Sequence, residues 1–122
     1  MGNLSSASDM VRITAECMKS QLFREIVRKK SYVGQAWVGG SLKSYDWQNT
    51  NKILDPDFCI GAKTGHTSSA GSCLSAVFSV DGLELAVVYM GGEKTREFDS
   101  RFEDVPKLAI WAYETLNTLL EK

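Results

Sequence analysis

Apolar positions along the chain recur with two different periods, and the switch between them divides it into elements. Met10, Val11, Ile13, Cys17 and Met18 repeat at helical spacing. Ser5-Ser6-Ala7-Ser8-Asp9 places capping side chains just ahead of them, which predicts a helix over about 6–19. Ser20 can cap a second, short helix with Phe23, Ile26 and Val27 as its buried stripe and Arg24, Arg28 and Lys29 toward water. The cluster Arg28-Lys29-Lys30 reads as a solvated helix end, where positive charge suits the dipole, and not as a phosphate site.

Beyond Lys30 the period falls to two. The stretches Tyr32 to Val38 and Leu42 to Trp47 flank Gly39-Gly40, a pair that tolerates the positive φ of a two-residue turn, so a ribbon is expected. Gln48 to Lys52 is polar, and Asp55-Pro56-Asp57 breaks the chain before the apolar run at Phe58. After a loop at 68–71, Leu74, Ala76, Phe78 and Val80 alternate onto one face. Asp81-Gly82 then turns the chain into Leu83 to Met90, which is apolar on both faces. A strand of that kind needs helices above and below it, so the fold class is α+β, an antiparallel sheet covered by helices.

Gly91 to Arg101 is polar and reads as a surface loop. Pro106 fits the first turn of a last helix, whose stripe of Leu108, Trp111, Ala112, Leu116 and Leu119 is widened by Ile110, Tyr113 and Leu120. Trp37, Trp47 and Trp111 are read as core or hairpin packing in preference to ligand stacking.

Composition changes this picture mainly by exclusion. The chain of 122 residues is one domain or part of one, and its 43% hydrophobic and 24% charged content suits a soluble globular protein. A net charge of −1 leaves no basic excess for phosphates, which argues against a nucleic-acid partner. No stretch has the length of a membrane span, and the first five residues lack the basic and apolar blocks of a signal peptide, so the compartment stays open. Cys17, Cys59 and Cys73 are odd in number and form no CxxC, and are read as buried thiols. Neither a metal nor a cofactor is implied.

The densest chemistry lies in Phe58 to Thr67, with the sequence FCIGAKTGHT. A phosphate-binding loop would need glycine directly before the lysine and again five residues earlier, where Ala62 and Asp57 stand. A strand-borne Lys-Thr-Gly does something else. Lys63 and Gly65 project to one side, and the missing side chain at Gly65 leaves room for a substrate backbone. Lys63 would supply positive charge and proton mobility, Thr64 and Thr67 hydroxyl donors for a carboxylate, and the His66 amide a donor for an oxyanion. Three common residues also fit an edge strand with an exposed lysine, and the tripeptide leaves both readings open.

The wider pattern resembles a known family. SSASDM at 5–10, FREIV at 23–27, NTNKIL at 49–54, KTGHT at 63–67, Ala70-Gly71 with Cys73-Leu74, Met90-Gly91-Gly92 and Trp111 follow the order and rough spacing of penicillin-binding-protein-type D-alanyl-D-alanine carboxypeptidases. That resemblance covers nearly the whole chain. It implies a partial β-lactamase/transpeptidase-like fold and a single domain over 1–122, the C-terminal portion of a DD-peptidase catalytic domain. Such enzymes carry a Ser-x-x-Lys with the acylated serine, a Ser-x-Asn and the Lys-Thr-Gly strand. By resemblance Lys63 is the catalytic lysine, while Thr64, Gly65, His66 and Thr67 bind substrate. Arg101, ten residues before Trp111, resembles an arginine that also serves the carboxylate, with a surface charge as the other reading.

The departure is equally clear. No serine here has lysine three residues on or asparagine two residues on, so the first two motifs are missing. Covalent catalysis needs an activated hydroxyl, so the chain alone is expected to be inert. Its expected ligand, a peptidoglycan-type D-Ala-D-Ala peptide or a β-lactam, would be engaged only together with an N-terminal half. The alternative is a non-catalytic remnant serving as an interaction subunit. Either way an uncovered sheet edge and helix face predict a homo-oligomer, a domain swap or a hetero-complex.

Overall fold

A computed structural model describes residues 2–122. Helix α1 (Ala7–Cys17) starts at Ser6, whose hydroxyl accepts from the Asp9 amide at 3.1 Å. Helix α2 (Gln21–Val27) starts the same way, with Ser20 accepting from the Phe23 amide at 3.3 Å. Strands β1 (Ser31–Val38) and β2 (Ser41–Gln48) form a separate antiparallel hairpin. Its turn residues Gly39 and Gly40 have φ of 57° and 80°, the left-handed values that a two-residue turn requires.

The main sheet has the order β3 (Cys59–Thr67), β4 (Gly71–Val80), β5 (Leu83–Gly92), all antiparallel. The central strand β4 carries the core. Leu74, Ala76 and Phe78 are buried with Leu54, Cys59, Val105 and Ala109, so helix α3 (Ser100–Leu120) covers that face. Val77 alternates to the other face and is also buried. Its partner Gly61 lies under Val27, where a Cβ would meet the valine Cγ2 at 2.8 Å, which places α2 on that second face. Helix α1 packs beside it on β5 and β4. The α+β arrangement with helices on both sides of an antiparallel sheet is therefore as the pattern required.

Several expectations need correcting. Helix α3 begins at Ser100, six residues before Pro106, because tertiary contacts and not the proline fix its start: Ser100, Arg101 and Val105 are all buried. The preceding connection is also ordered. An antiparallel bridge joins Lys94 to Asp99, and the Ser100 amide donates to the Glu93 carbonyl at 2.9 Å. Arg24 does not simply face water but forms an ion pair with Glu84 of β5 and donates to the Met18 carbonyl at 3.3 Å. Ile26, Trp37 and Trp111 are exposed, since no element covers them. Of the three thiols only Cys59 is fully buried, and burial pushes its pKa up.

Among the described residues no helix is long and apolar enough to cross a membrane. Nor, among them, do three or more His, Cys, Asp or Glu side chains gather in a way that could hold a metal ion.

Candidate functional site

Strand β3 is an edge of its sheet, so one side of its backbone has no neighbouring strand. Along that edge runs an open groove of about 650 Å³. Lys63, Thr64, Gly65 and His66 form one wall, the 48–52 segment and the 94–98 connection the others, with Arg101 at the base of the helix.

Alternation sorts the strand's side chains. Lys63 and Gly65 lie opposite Ser75 and Cys73 on the α2 face, while Thr64 and His66 lie opposite Leu74 and Ser72 on the α3 face. Lys63 is exposed and its Nζ donates to the Thr64 carbonyl. The Thr64 side chain is buried and its hydroxyl is paired with that of Thr50. At Gly65 an added Cβ would have only Cys73 Cβ within reach, at 3.9 Å. Nothing in the chain itself requires glycine there, and the space above it is free for a ligand.

His66 is exposed on the groove wall. Thr67 is not part of that wall. Its hydroxyl accepts from the Ala70 amide at 3.0 Å and so closes the β3–β4 turn.

Arg101 is only 4% exposed and its donors are heavily committed. One terminal nitrogen donates to the carbonyls of Gly65 and Cys73, each at 3.0 Å, so it ties β3 to β4. The Nε and the other terminal nitrogen meet Asp99 at 3.0 and 2.9 Å. Asp99 also accepts from the Ser72 hydroxyl at 2.5 Å. Burial would raise the Asp99 pKa, but the Ser72 hydroxyl and the Arg101 guanidinium outweigh it and hold the carboxyl below the usual range. Arg101 in this structure is thus a strut for the wall and not the exposed charge that its sequence position also allowed.

The groove carries five cationic side chains, Lys52, Lys63, Lys94, Arg96 and Arg101, against two carboxylates, Glu97 and Asp99. Its lining is predominantly cationic, although the chain as a whole is slightly acidic. Sequence reading missed Thr50, Lys94, Arg96 and Asp99. Charge clustering at 94–101 was the available signal; the Lys94–Asp99 bridge orders this segment, which lines the groove.

A family model described as D-alanyl-D-alanine carboxypeptidase, peptidase S11, matches residues 1–94. No curated protein matches the chain. Among solved structures, the Streptomyces K15 DD-transpeptidase superposes with a TM-score of 0.81 at 26% identity, covering 90% of this chain and 42% of that one. An arginine-to-leucine mutant of the same enzyme gives 0.82 at 25% identity, covering 93% and 44%. The chain therefore spans less than half the length of the structures it matches. With the family model covering most of the sequence, this chain belongs to the D-alanyl-D-alanine carboxypeptidase family of S11 peptidases.

Proposed function

We propose that the chain is the Lys-Thr-Gly-bearing C-terminal portion of a serine-type D-Ala-D-Ala carboxypeptidase of peptidoglycan metabolism. The observation that carries this is the Lys63-Thr64-Gly65 edge strand, open above Gly65 and lining a cationic groove. An extended peptide can add to that edge through its backbone, with its terminal carboxylate toward the lysine and threonine. In this reading Lys63 holds the substrate and assists proton transfer, Thr64 donates to the carboxylate, Gly65 gives clearance and the His66 amide faces the oxyanion. Arg101 serves the carboxylate mainly by fixing the Gly65 carbonyl and adding charge at the groove base.

The nucleophile would come from an N-terminal half carrying Ser-x-x-Lys. The far side of the sheet supports a need for such a companion. Strand β5 is the second sheet edge, its apolar run is nowhere fully buried, and α3 exposes 62% of Trp111. Alone, the chain should self-associate, swap elements or seek a partner, and a stable monomer in light scattering would contradict this. Mixing it with a Ser-x-x-Lys half should restore acylation by a labelled penicillin. If the folded pair stays unlabelled, the catalytic reading fails.

The absence of both serine motifs from this sequence favours one other reading, a non-catalytic interaction subunit. Lys63→Ala tests it: an interaction subunit should assemble unchanged, whereas loss of the complex on that substitution would give the lysine itself a binding role.

A further inference from the structure

In the proposed function the Thr64 hydroxyl donates to a carboxylate, yet that hydroxyl already has a partner. Thr64 is 7% exposed, and its Oγ1 lies 2.5 Å from Oγ1 of Thr50. Among the described residues this is the only hydrogen bond that either hydroxyl makes. Each hydroxyl has one proton to give, so the direction of the bond decides what the groove meets. If Thr64 donates to Thr50, its proton is held within the pair. If Thr50 donates, Thr64 accepts from behind and its own proton is left for the groove.

Two asparagines fix the chain on either side of Thr50. The Asn49 backbone amide donates to the Lys30 carbonyl at 2.8 Å and its Nδ2 to the Lys29 carbonyl at 2.9 Å, which ties it to the end of α2. Its Oδ1 accepts from the Asn51 amide at 2.9 Å and closes a short turn around Thr50. Asn51 is 3% exposed; its Nδ2 donates to the Gly61 carbonyl of β3 at 3.4 Å and its Oδ1 accepts from the Ile53 amide at 3.3 Å. A residue between two such anchors has lost its backbone freedom before any ligand arrives. Thr50 is therefore held against the strand, although it is itself exposed.

Both threonines line the groove, where cationic side chains outnumber carboxylates. An anion there accepts from Thr64 and so aligns the pair. A hydroxyl that is itself accepting is the stronger donor, because consecutive hydrogen bonds polarise one another. We infer that Thr50 is a positioning residue of the groove: its hydroxyl donates to Thr64 and turns the Thr64 proton onto a ligand's carboxylate. That this carboxylate ends a peptide rests on the function proposed above; the relay itself needs only a carboxylate at Thr64.

The test titrates the full chain, by amide NMR, with acetate and with acetamide. Acetate only accepts, whereas acetamide both donates and accepts and is served by either direction of the Thr64 hydroxyl. In the wild type, acetate should shift the Thr64 and Gly65 amides. Thr50→Val keeps the shape and removes the hydroxyl; it should weaken acetate binding about threefold to tenfold, the worth of one hydrogen bond, and acetamide binding less than twofold. Thr50→Ser, which restores the hydroxyl, should recover most of the loss. In a Thr64→Val background, Thr50→Val should have no further effect. Thr50→Ala takes the place of Thr50→Val if that variant does not fold. Equal loss for both probes, as a displaced 48–52 segment would give, overturns the assignment. So does a loss below twofold for acetate, a loss that Thr50→Ser does not recover, or one that persists without the Thr64 hydroxyl. Wild-type acetate shifts confined to residues outside the groove overturn it as well. Labelled-penicillin acylation of the pair with a Ser-x-x-Lys half separates the two claims: a pair that never acylates, while the acetate results hold, removes the catalytic reading and leaves Thr50 in its role.

Discussion

Replacing Arg101 by methionine, which keeps length and loses every donor, should cost the fold about 3 kcal/mol. The guanidinium is 4% exposed and makes contacts to Asp99, to the Gly65 carbonyl and to the Cys73 carbonyl. Breaking a buried ion pair by removing one partner costs about 3–5 kcal/mol, because the remaining charge is stranded. The lower end applies because Asp99 is 15% exposed and retains the Ser72 hydroxyl. Unfolding entropy of about 2 cal/mol/K per residue gives roughly 0.26 kcal/mol/K for this chain, so Tm should fall by about 12 °C. Thermal and urea unfolding followed by circular dichroism measure this. Asp99→Asn in the same background should recover part of the loss, since the stranded carboxylate is then gone. A loss below ~1 kcal/mol would refute the strut, and would mean that the guanidinium is free for a ligand.

Gly71→Ala should destabilise by about 2–3 kcal/mol, because φ is +71° there and a Cβ would stand 2.8 Å from the Gly92 carbonyl oxygen; a urea midpoint unchanged from wild type would count against this. Glu84→Gln should cost less than about 1 kcal/mol by the same measurement, since the pair with Arg24 is partly solvated and Arg24 keeps the Met18 carbonyl. Hydrogen bonding from Arg24 lowers the Glu84 pKa, as Ser72 and Arg101 lower that of Asp99. Their stabilisation is therefore complete above the unfolded values of about 4, and is lost as pH falls through the depressed folded values. Acid titration of Tm should show that decline, and Arg101→Met should make it shallower.

What the sequence made legible was local. The turns at Gly39-Gly40 and Asp81-Gly82 and the caps at Ser6 and Ser20 depend on neighbours within a few residues, and they stand where the pattern put them. The β4 core face followed from alternation alone. The start of α3 did not, because Ser100 and Arg101 are polar residues made interior by partners 11 to 36 positions away, in β3, β4 and β5. Hydrophobicity likewise states what a side chain would gain by burial, and not whether anything arrives to bury it. Ile26, Trp37 and Trp111 lie on surfaces that this chain leaves bare. At the candidate site, the strand was readable from Lys63-Thr64-Gly65, whereas the opposing wall depends on the 94–98 segment crossing the groove.

The double grip of Arg101 on Gly65 and Cys73 also has a mechanical meaning. The first turn of α3 and the free edge of the sheet are joined through one planar, rigid group, so neither can shift alone. A partner that tilts α3 by docking against Trp111 would drag the Gly65 carbonyl with it and change the width of the groove.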